Sequence, residues 1–283
     1  MQNLLLWITY LVVFYEYSSI LSSMTIEPTV KLTIKEANIA IITLSRPKVA
    51  NALNSQMANE LKKIFAKLSH NIRVVILTGE GDKAFCAGAD LKERQGMDFD
   101  SWQIQHQLFR TTLQTLMECQ VPVIAAVNGA AFGGGLELAL GCDFIYAAKT
   151  ASFGLPEVTL GIMPGMGGTQ NLPRTIGLRR SKEILLTGET FSATDAYYWG
   201  IINKLCDPNS LMDDVLACAR TIAKAAPMSV VAIKRVSTYS VHLPLADALI
   251  NESNHYNRLL NTKDREEGIN AFNEKRTPVF TGK

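Results

Sequence analysis

The chain has 283 residues, of which 47% are hydrophobic and 19% are charged, and its net charge is +2. This balance excludes a disordered protein, and the small charge gives no electrostatic reason to expect a nucleic-acid or membrane partner. The length suits one large domain, or a core with a smaller subdomain.

The first 23 residues match no targeting pattern. The apolar run from Leu4 to Tyr15 is about 12 residues long, short of the roughly 20 that cross a bilayer. No Lys or Arg precedes Lys31, whereas a secretory signal needs a basic start and a mitochondrial peptide is rich in arginine. We therefore expect Met24 to be the natural start and residues 1–23 to be upstream read-through or a disordered extension. An interfacial membrane anchor is the alternative.

The next part of the chain predicts an α/β arrangement. Residues 31–34 and 39–44 alternate or run apolar as two strands of a hairpin, with a turn at residues 36–38. Apolar side chains then recur at helical spacing over residues 55–70. The apolar run at residues 74–79 is typical of a parallel strand that is buried on both faces.

The same order of elements then repeats. A helix is predicted around residues 108–117, and a second buried strand at residues 122–129. Strand, glycine turn and glycine-led segment occur at residues 74–88 and again at residues 123–135, which is a weak internal repeat. Alternating strands and helices favour an α/β fold with right-handed crossovers. Residues 136–148 are expected to form one buried helix.

The predicted secondary structure changes after about residue 209. The pattern beyond it predicts no clear strand and four helices, at residues 212–225, 228–239, 245–260 and 262–275. We therefore expect a core at residues 24–209 and a helical region at residues 210–283. The apolar faces of these helices could cover the core or a neighbouring subunit.

The cysteines and histidines predict neither disulfides nor a metal site. The five cysteines are odd in number and form no CxxC pair, which predicts free thiols in a reducing compartment and hence a soluble, cytoplasmic protein. The four histidines are scattered and include no HExxH motif, so no metal is expected.

Two glutamates lie in otherwise apolar or glycine-rich runs. Glu137 follows the glycines at 133–135, and Glu157 precedes the glycine-rich turn at residues 161–168. Burying an ionised carboxylate without partners is costly, and burial raises a carboxyl pKa from about 4.3 toward neutrality. Two such groups form the usual pattern of an acid/base pair. From the residues alone, a catalytic pair and two structural carboxylates are both open, and Asp143 in a similar run is interpreted as structural.

Two glycine-containing loops could hold an oxyanion. Glycines 133–135 at a predicted helix start leave backbone N–H groups open to a ligand, and the helix dipole favours negative charge there. Residues 85–92 form a second small-residue turn after the first buried strand. Loops that follow neighbouring parallel strands meet at one edge of a sheet, so together they could supply two N–H donors to one oxygen. The alternative is that both are packing turns, and neither matches the dinucleotide or nucleotide-phosphate glycine patterns.

These motifs together resemble the enoyl-CoA hydratase/isomerase (crotonase) superfamily. The resemblance is carried by FCAGADL at residues 85–91, GGGLELA at 133–139, FGLPE at 153–157 and PGMGGTQ at 164–170, with further matches at residues 46–53, 122–129 and 263–276. These stretches stand in the family's order and leave out the N-terminal extension. The resemblance implies an α/β fold, a crotonase-like spiral of ββα units with a C-terminal helical assembly region. It also implies a homotrimer or homohexamer.

The resemblance also implies a role for each site residue. Glu137 would hold and deprotonate water for attack at Cβ, and Glu157 would deliver the proton to Cα. The N–H groups of Ala89 and Gly134 would form the oxyanion hole for the thioester oxygen, and the Gly165 N–H would help to fix the water. Positions expected to contact coenzyme A are Lys48, Ala87, Asp90, Leu91 and Lys92, with Phe272 and Lys275 from a neighbouring subunit. No cofactor is expected, because coenzyme A is part of the acyl-CoA substrate.

Superfamily membership does not determine the reaction. Both hydratase glutamates are present, which favours addition of water to a 2-enoyl-CoA, although Glu157 alone could shuttle a proton as an isomerase. The motif at residues 85–94 resembles methylglutaconyl-CoA hydratases, whereas residues 155–157 resemble short-chain enoyl-CoA hydratases. A methylglutaconyl-type substrate carries a distal carboxylate and requires a cation in the acyl pocket. Fatty-acid β-oxidation and branched amino-acid breakdown are both open.

The methylglutaconyl branch also suggests a binding function. It includes proteins described as RNA-binding through a lysine-bearing helix, and Lys62, Lys63 and Lys67 lie on the equivalent predicted helix. A solvated helix face is the simpler interpretation, because a net charge of +2 disfavours nucleic-acid binding.

Overall fold

The computed structural model describes residues 27–36 and 38–283, and the expectation for residues 1–23 lies outside this range. The described residues form ten strands and eleven α-helices. The strands are β1 (Val30–Lys35), β2 (Ile39–Leu44), β3 (Val74–Gly79), β4 (Ala84–Cys86), β5 (Val123–Val127), β6 (Ala130–Phe132), β7 (Phe144–Ala148), β8 (Ser152–Gly154), β9 (Thr190–Ser192) and β10 (Lys204–Cys206).

The helices occur between the strands and then make up the end of the chain. They are α1 (Ser55–Ala66), α2 (Leu91–Arg94), α3 (Phe99–Met117), α4 (Gly134–Gly141), α5 (Gly168–Ile176), α6 (Leu178–Thr187), α7 (Ala193–Tyr198), α8 (Leu211–Lys224), α9 (Pro227–Ser240), α10 (Leu245–Leu259) and α11 (Lys263–Asn273). Two short 3-10 helices, Pro47–Val49 and Pro156–Leu160, complete the set in the described chain.

The strands form two sheets that the chain visits in turn. The larger sheet has the order β1-β2-β3-β5-β7-β10 and is parallel except for the β1–β2 hairpin. The smaller sheet has the order β4-β6-β8-β9, with only β8 and β9 antiparallel. Each of β3, β5 and β7 is followed at once by β4, β6 or β8 in the other sheet. The chain therefore winds as a spiral, and the predicted α/β class is confirmed.

Strand β3 is buried on both faces because two apolar clusters enclose the larger sheet. Val75 and Leu77 belong to the main core between the sheets, whereas Val74 and Ile76 belong to a second cluster with residues of α8. All six residues of β3 are buried. A strand covered on both sides has no polar face, which is why the sequence of β3 is a continuous apolar run.

Two predicted helices end earlier than expected. The first ends at Ala66 rather than at residue 70, because Lys67 leaves helical geometry with φ −119° and the chain then turns toward β3. The prediction of one helix over residues 136–148 is wrong: α4 ends at Gly141, and β7 follows it. An apolar run of this kind has no periodicity that separates helix from strand, and pairing of Phe144–Ala148 with β5 and β10 decides for the strand.

Asp143 has the structural role that the sequence pattern indicated. Its Oδ2 accepts hydrogen bonds from the Val123 backbone N–H at 2.6 Å and from Lys234 Nζ at 2.8 Å. The carboxylate therefore joins the starts of β5 and β7 to α9. Because β7 in the larger sheet is followed by β8 in the smaller sheet, as β3 is by β4 and β5 by β6, the internal repeat has three units rather than the two that the sequence suggested.

The four C-terminal helices form as predicted. Helix α8 buries Leu211, Val215 and Ala219 against the larger sheet, whereas α10 buries none of its residues among those that the structure describes. The division of the chain near residue 209 stays a prediction. No single helix in residues 27–36 and 38–283 is both long and apolar enough to cross a membrane; α8 and α9 reach that length and composition only as a pair bent by 108°.

Candidate active site

The candidate site is formed by the segments that follow β4, β6 and β8, three neighbouring parallel strands of the smaller sheet. The loop after β4 carries Ala89, the turn after β6 leads into α4 with Gly134 and Glu137, and the 3-10 helix after β8 carries Glu157. Equivalent ends of parallel strands lie at one edge of a sheet. The three repeat units therefore each deliver part of one site.

The loop after β4 is held so that the Ala89 N–H is left free. Leu53 donates its N–H to the Gly88 carbonyl at 2.7 Å and accepts the Asp90 N–H at 2.8 Å. Successive amides of an extended chain point to opposite sides, so the Ala89 N–H is directed away from Leu53. It donates to no other described residue. Asp90 also pairs with Arg46 at 2.9 Å, which ties this loop to the segment before α1.

The start of α4 is the second source of free amides. Gly133 adopts φ +50°, a conformation that favours glycine, and a β-carbon there would lie 3.1 Å from Glu157 Oε1. Helix α4 begins at Gly134, whose N–H donates to no described residue. A β-carbon on Gly134 would lie 3.9 Å from the Ala89 N. The two free amides therefore border the same small space.

Glu137 is buried in the first turn of α4, with 2% of its surface exposed. Its Oε1 accepts the Met166 N–H at 2.7 Å and the Gly168 N–H at 2.8 Å. The pKa of Glu137 is raised to about 7: burial is the largest cause and the negative charge of Glu157 adds to it, while the two N–H donors lower the pKa. A carboxyl with this pKa can both accept and donate a proton near neutral pH.

Glu157 lies at the second position of the 3-10 helix and is also buried. Its Oε2 is enclosed and has no hydrogen-bond partner in the described chain. Desolvation raises the pKa of Glu157 above the ordinary value, and the positive charge of Arg94 opposes that rise. A buried, unsatisfied carboxyl oxygen is expensive in a folded protein, which favours a functional over a structural interpretation.

One cavity of about 590 Å³ brings these groups together. Of the predicted site residues, those that line it are Ala87, Ala89, Leu91, Gly134, Glu137, Glu157 and Gly165. Lys92 borders an adjoining depression instead. A wider depression of about 810 Å³ between α5, α6 and α7 contains neither glutamate, so we assign no chemistry to it.

The other predicted contact residues lie away from the cavity. Lys48 is exposed on the first 3-10 helix, and Phe272, 83% exposed, lies near the end of α11 with Lys275 just beyond it. Asp90 is engaged with Arg46 and caps α2 by accepting the Lys92 N–H at 3.1 Å. Their assignment to coenzyme A stays a prediction.

The cavity wall also includes residues to which the sequence analysis gave no role, among them Arg94, Trp102, His106 and Met166. Met166 lies in the glycine-rich turn, and its backbone N–H is one of the two partners of Glu137. His106 Nε2 lies 3.0 Å from the carbonyl oxygen of Gly165. Trp102 and His106 are four residues apart on α3, so the sequence predicts that they share one face of that helix. The local sequence does not indicate that this face borders the cavity.

Comparison with known proteins identifies the family to which the chain belongs. A sequence profile described as "Enoyl-CoA hydratase/isomerase" matches residues 34–283. The chain belongs to the enoyl-CoA hydratase/isomerase family. Its fold is that of the family, as the sequence motifs indicated.

Individual relatives cover most of the chain. The short-chain-enoyl-CoA hydratase of Clostridium acetobutylicum is 38% identical over 86% of this chain and 94% of the relative. The mitochondrial enoyl-CoA hydratase of Pongo abelii is 40% identical over 87% of this chain and 84% of the relative. The crystal structure of an enoyl-CoA hydratase from Bacillus anthracis superposes with a TM-score of 0.89 at 42% identity, covering 90% of this chain and all of that one.

Other candidate ligand sites are weaker. Among residues 27–36 and 38–283, no three His, Cys, Asp or Glu side chains are grouped to hold a metal ion. Lys62 and Lys63 are exposed on α1, and Lys67 lies just after its end. Among the described residues, the carboxyls whose pKa is raised are Glu137 and Glu157, and both line the 590 Å³ cavity that the free amides border.

Proposed function

We propose that this protein adds water across the Cα–Cβ double bond of a 2-enoyl-CoA thioester. The observation that carries the proposal is the presence of two buried glutamates, both with raised pKa, in one cavity with two free backbone amides. Addition of water needs one group that takes a proton and one that gives a proton. An isomerase needs only one such group, so the pair favours hydration.

The free amides of Ala89 and Gly134 are suited to the thioester oxygen. Attack at Cβ moves electron density onto that oxygen, and two N–H donors stabilise the enolate-like transition state by about 3 kcal/mol each. The start of α4 adds the positive end of its dipole at the same place. In this proposal the thioester itself takes up the electrons, so no further cofactor is required.

The two glutamates have opposite roles in proton transfer: one accepts a proton from water, and the other donates a proton to Cα. Glu137 is held at Oε1 by two backbone N–H groups, which orients its other oxygen to accept a proton as the water oxygen bonds to Cβ. In this proposal Glu157 enters the step protonated and gives its proton to Cα from the unpartnered Oε2. The proton that Glu137 took from water then returns to Glu157, directly or through solvent, before the next turnover. Gly165 borders the same cavity, and its N–H donates to no described residue, so it remains a candidate for fixing the water.

The proposal extends to coenzyme A and to a second copy of the chain. Lys48, Ala87, Leu91 and Lys92 would follow the path of the pantetheine and nucleotide, while Phe272 and Lys275 would reach a neighbouring subunit's ligand. Both C-terminal residues are exposed, as that role requires. The five cysteines are free thiols, which supports a reducing, cytoplasmic setting.

The test is the loss of the conjugated enoyl-thioester absorbance with crotonyl-CoA. Wild type is compared with Glu137→Gln and Glu157→Gln, which keep the size of each side chain and remove its acid–base function. We expect both variants to lose at least about a hundredfold in kcat, the usual effect of removing a general acid or base. Product identity as 3-hydroxybutyryl-CoA is checked by mass spectrometry.

Asp143→Asn is the matched control. It removes a carboxylate from the same part of the chain but outside the cavity, and the amide oxygen can still accept the Val123 N–H. Its activity is expected within about threefold of wild type, as for sites outside the catalytic machinery. An inactive wild type would contradict hydration, and rapid conversion of 3-hexenoyl-CoA by Glu137→Gln without hydration would instead support an isomerase that works through Glu157 alone.

A further inference from the structure

Arg94 is a cation in the wall of the same cavity, and the proposed hydration mechanism assigns no role to it. It ends the short helix α2 and lines the cavity together with Glu137 and Glu157. The thioester oxygen is assigned to backbone amides and the water to the glutamates. A half-buried guanidinium therefore remains to be explained.

Hydrogen bonds and aromatic contacts hold the Arg94 side chain in one orientation. Its Nε donates to Gln105 Oε1 at 2.8 Å, and the buried Gln105 amide donates to Glu93 Oε2 at 2.7 Å. The guanidinium carbon lies 4.5 Å from the Trp102 ring centroid and 5.5 Å from that of Phe109. Hydrogen bonding and stacking on aromatic rings together hold the guanidinium plane.

Arg94 forms no ion pair with any described residue. None of the ion pairs in this part of the chain includes it, in contrast to Arg46, which pairs with Asp90 at 2.9 Å. The adjacent Glu93 carboxylate is occupied by the Ser55 N–H at 3.0 Å and by Gln105. A guanidinium has five N–H donors, and only the one on Nε is used here. The two terminal nitrogens are open to a ligand.

We propose that Arg94 binds a carboxylate at the far end of the acyl chain, so that the preferred substrate is a 2-enoyl-CoA that carries a terminal carboxylate. This inference rests on the proposed hydration reaction and names its substrate class. The planar guanidinium matches a carboxylate with two parallel hydrogen bonds. A substrate with an apolar chain end would leave those donors unpaired.

The position of Arg94 favours the acyl chain over coenzyme A. The phosphates of coenzyme A are separated from the thioester by the pantetheine arm, whereas Arg94 shares a cavity with the groups assigned to Cα and Cβ. Its positive charge lowers the pKa of both Glu137 and Glu157, which places it within electrostatic reach of both. Two glutamates would repel a third carboxylate in this space, and Arg94 offsets that repulsion.

The experiment compares two substrates that differ by the carboxylate alone. Glutaconyl-CoA is crotonyl-CoA with a carboxylate on its terminal carbon, and both are hydrated at the same double bond. We expect wild type to prefer glutaconyl-CoA in kcat/KM by about ten- to a hundredfold, the range for one or two charge-assisted hydrogen bonds. Arg94→Met is expected to remove most of this preference, and Arg94→Lys to retain part of it.

Arg110→Met is the matched control for net charge. Arg110 also lines the cavity but is exposed at its rim, so the variant removes an equal charge from the same region. It should leave the ratio of the two kcat/KM values within about threefold, because exposed charges are screened by solvent. A second measurement does not depend on turnover: calorimetric binding of glutaryl-CoA and butyryl-CoA, saturated analogues of the pair. Wild type should bind glutaryl-CoA at least about tenfold more tightly, and Arg94→Met should not.

Three outcomes would overturn the inference while leaving hydration intact. Wild type could hydrate both substrates with equal kcat/KM, Arg94→Met could lose equally on both, or Arg110→Met could change the ratio as much as Arg94→Met. The second outcome would assign Arg94 to coenzyme A or to support of the site. If Arg94→Met does not fold, the two wild-type comparisons still decide. A wild type that hydrates neither substrate contradicts the proposed function itself, and the inference with it.

Discussion

At the scale of the residue, the site is defined by carboxyl groups whose surroundings shift their protonation. Glu137 is buried and held by the Met166 and Gly168 amides, while Glu157 has an oxygen with no partner in the described chain. Both pKa values are raised, chiefly by desolvation. Groups that are unfavourable for stability and suitable for proton transfer are typical of active sites.

The raised pKa of Glu137 predicts that stability falls as pH rises. The unfolded chain loses this proton near the ordinary value of 4.5, whereas the folded protein keeps it until about 7. The associated stability is fully present below the unfolded pKa and is lost as pH rises through the folded pKa, with a total of about 3 kcal/mol. Glu137→Gln has no proton to lose at this position and should lack this contribution.

Urea unfolding of wild type and Glu137→Gln at about pH 5 and about pH 8 measures the effect. The free energy of unfolding of wild type should fall relative to that of Glu137→Gln by about 2–3 kcal/mol over this range. Groups that do not interact with Glu137 titrate alike in both proteins and cancel in the comparison. Parallel pH dependence of the two proteins would show that Glu137 has an ordinary pKa.

At the scale of the element, close packing between α4 and the strands of the smaller sheet brings the free amides together. A β-carbon at Gly135 would lie 2.0 Å from the Cys86 carbonyl oxygen, so only glycine allows the start of α4 to approach β4 this closely. At Gly134 a β-carbon would meet Met166 Sδ at 3.4 Å, an ordinary contact, but it would enter the space beside the Ala89 amide. The adjacent glycines therefore have different roles: Gly135 allows close packing of α4 on β4, and Gly134 keeps the space beside the Ala89 amide open to a ligand.

This difference predicts opposite results for two neighbouring alanine substitutions. Gly135→Ala should destabilise the protein by about 1–3 kcal/mol or more, because backbone atoms must move apart. Gly134→Ala should change stability by less than about 1 kcal/mol, since alanine suits a helix start, yet reduce kcat/KM at least about tenfold by filling the oxyanion space. Thermal unfolding and crotonyl-CoA hydration of both variants give the comparison. Equal effects of the two on stability would contradict it.

At the scale of the whole molecule, the C-terminal helices have exposed apolar side chains that no other described residue covers. Helix α10 buries none of its residues, and Ile250 on it is 61% exposed. Leu249 beside it, Ile233 on α9 and Phe272 on α11 are exposed as well. We propose that a second copy of the chain covers this surface in a trimer or hexamer, which would also bring Phe272 and Lys275 near a neighbouring site.

The assembly is tested by light scattering at micromolar concentration. Wild type should have three or six times the mass of one chain, and Ile250→Glu should shift the mass downward, because a charge within an apolar interface is costly. Leu32→Glu on β1 is the matched control: it places the same charge on an exposed apolar residue outside the helical region. A monomeric wild type would contradict the assembly, and an equal shift in both variants would locate the interface elsewhere.

Local sequence patterns were sufficient to predict the fold class and most of the helices and strands, and they drew attention to the two glutamates. Buried strands, amphipathic helices and glycine turns are local patterns, and the glutamates are conspicuous because their neighbours are apolar. The tertiary structure decided that residues 144–148 form a strand, because partners distant in sequence supply its hydrogen bonds. It also decided the partners of Glu137 and the place of Arg94 in the cavity wall. These features depend on which strands are neighbours in the sheets and on how much water the packed elements exclude. Neither property can be read from the sequence of a single segment.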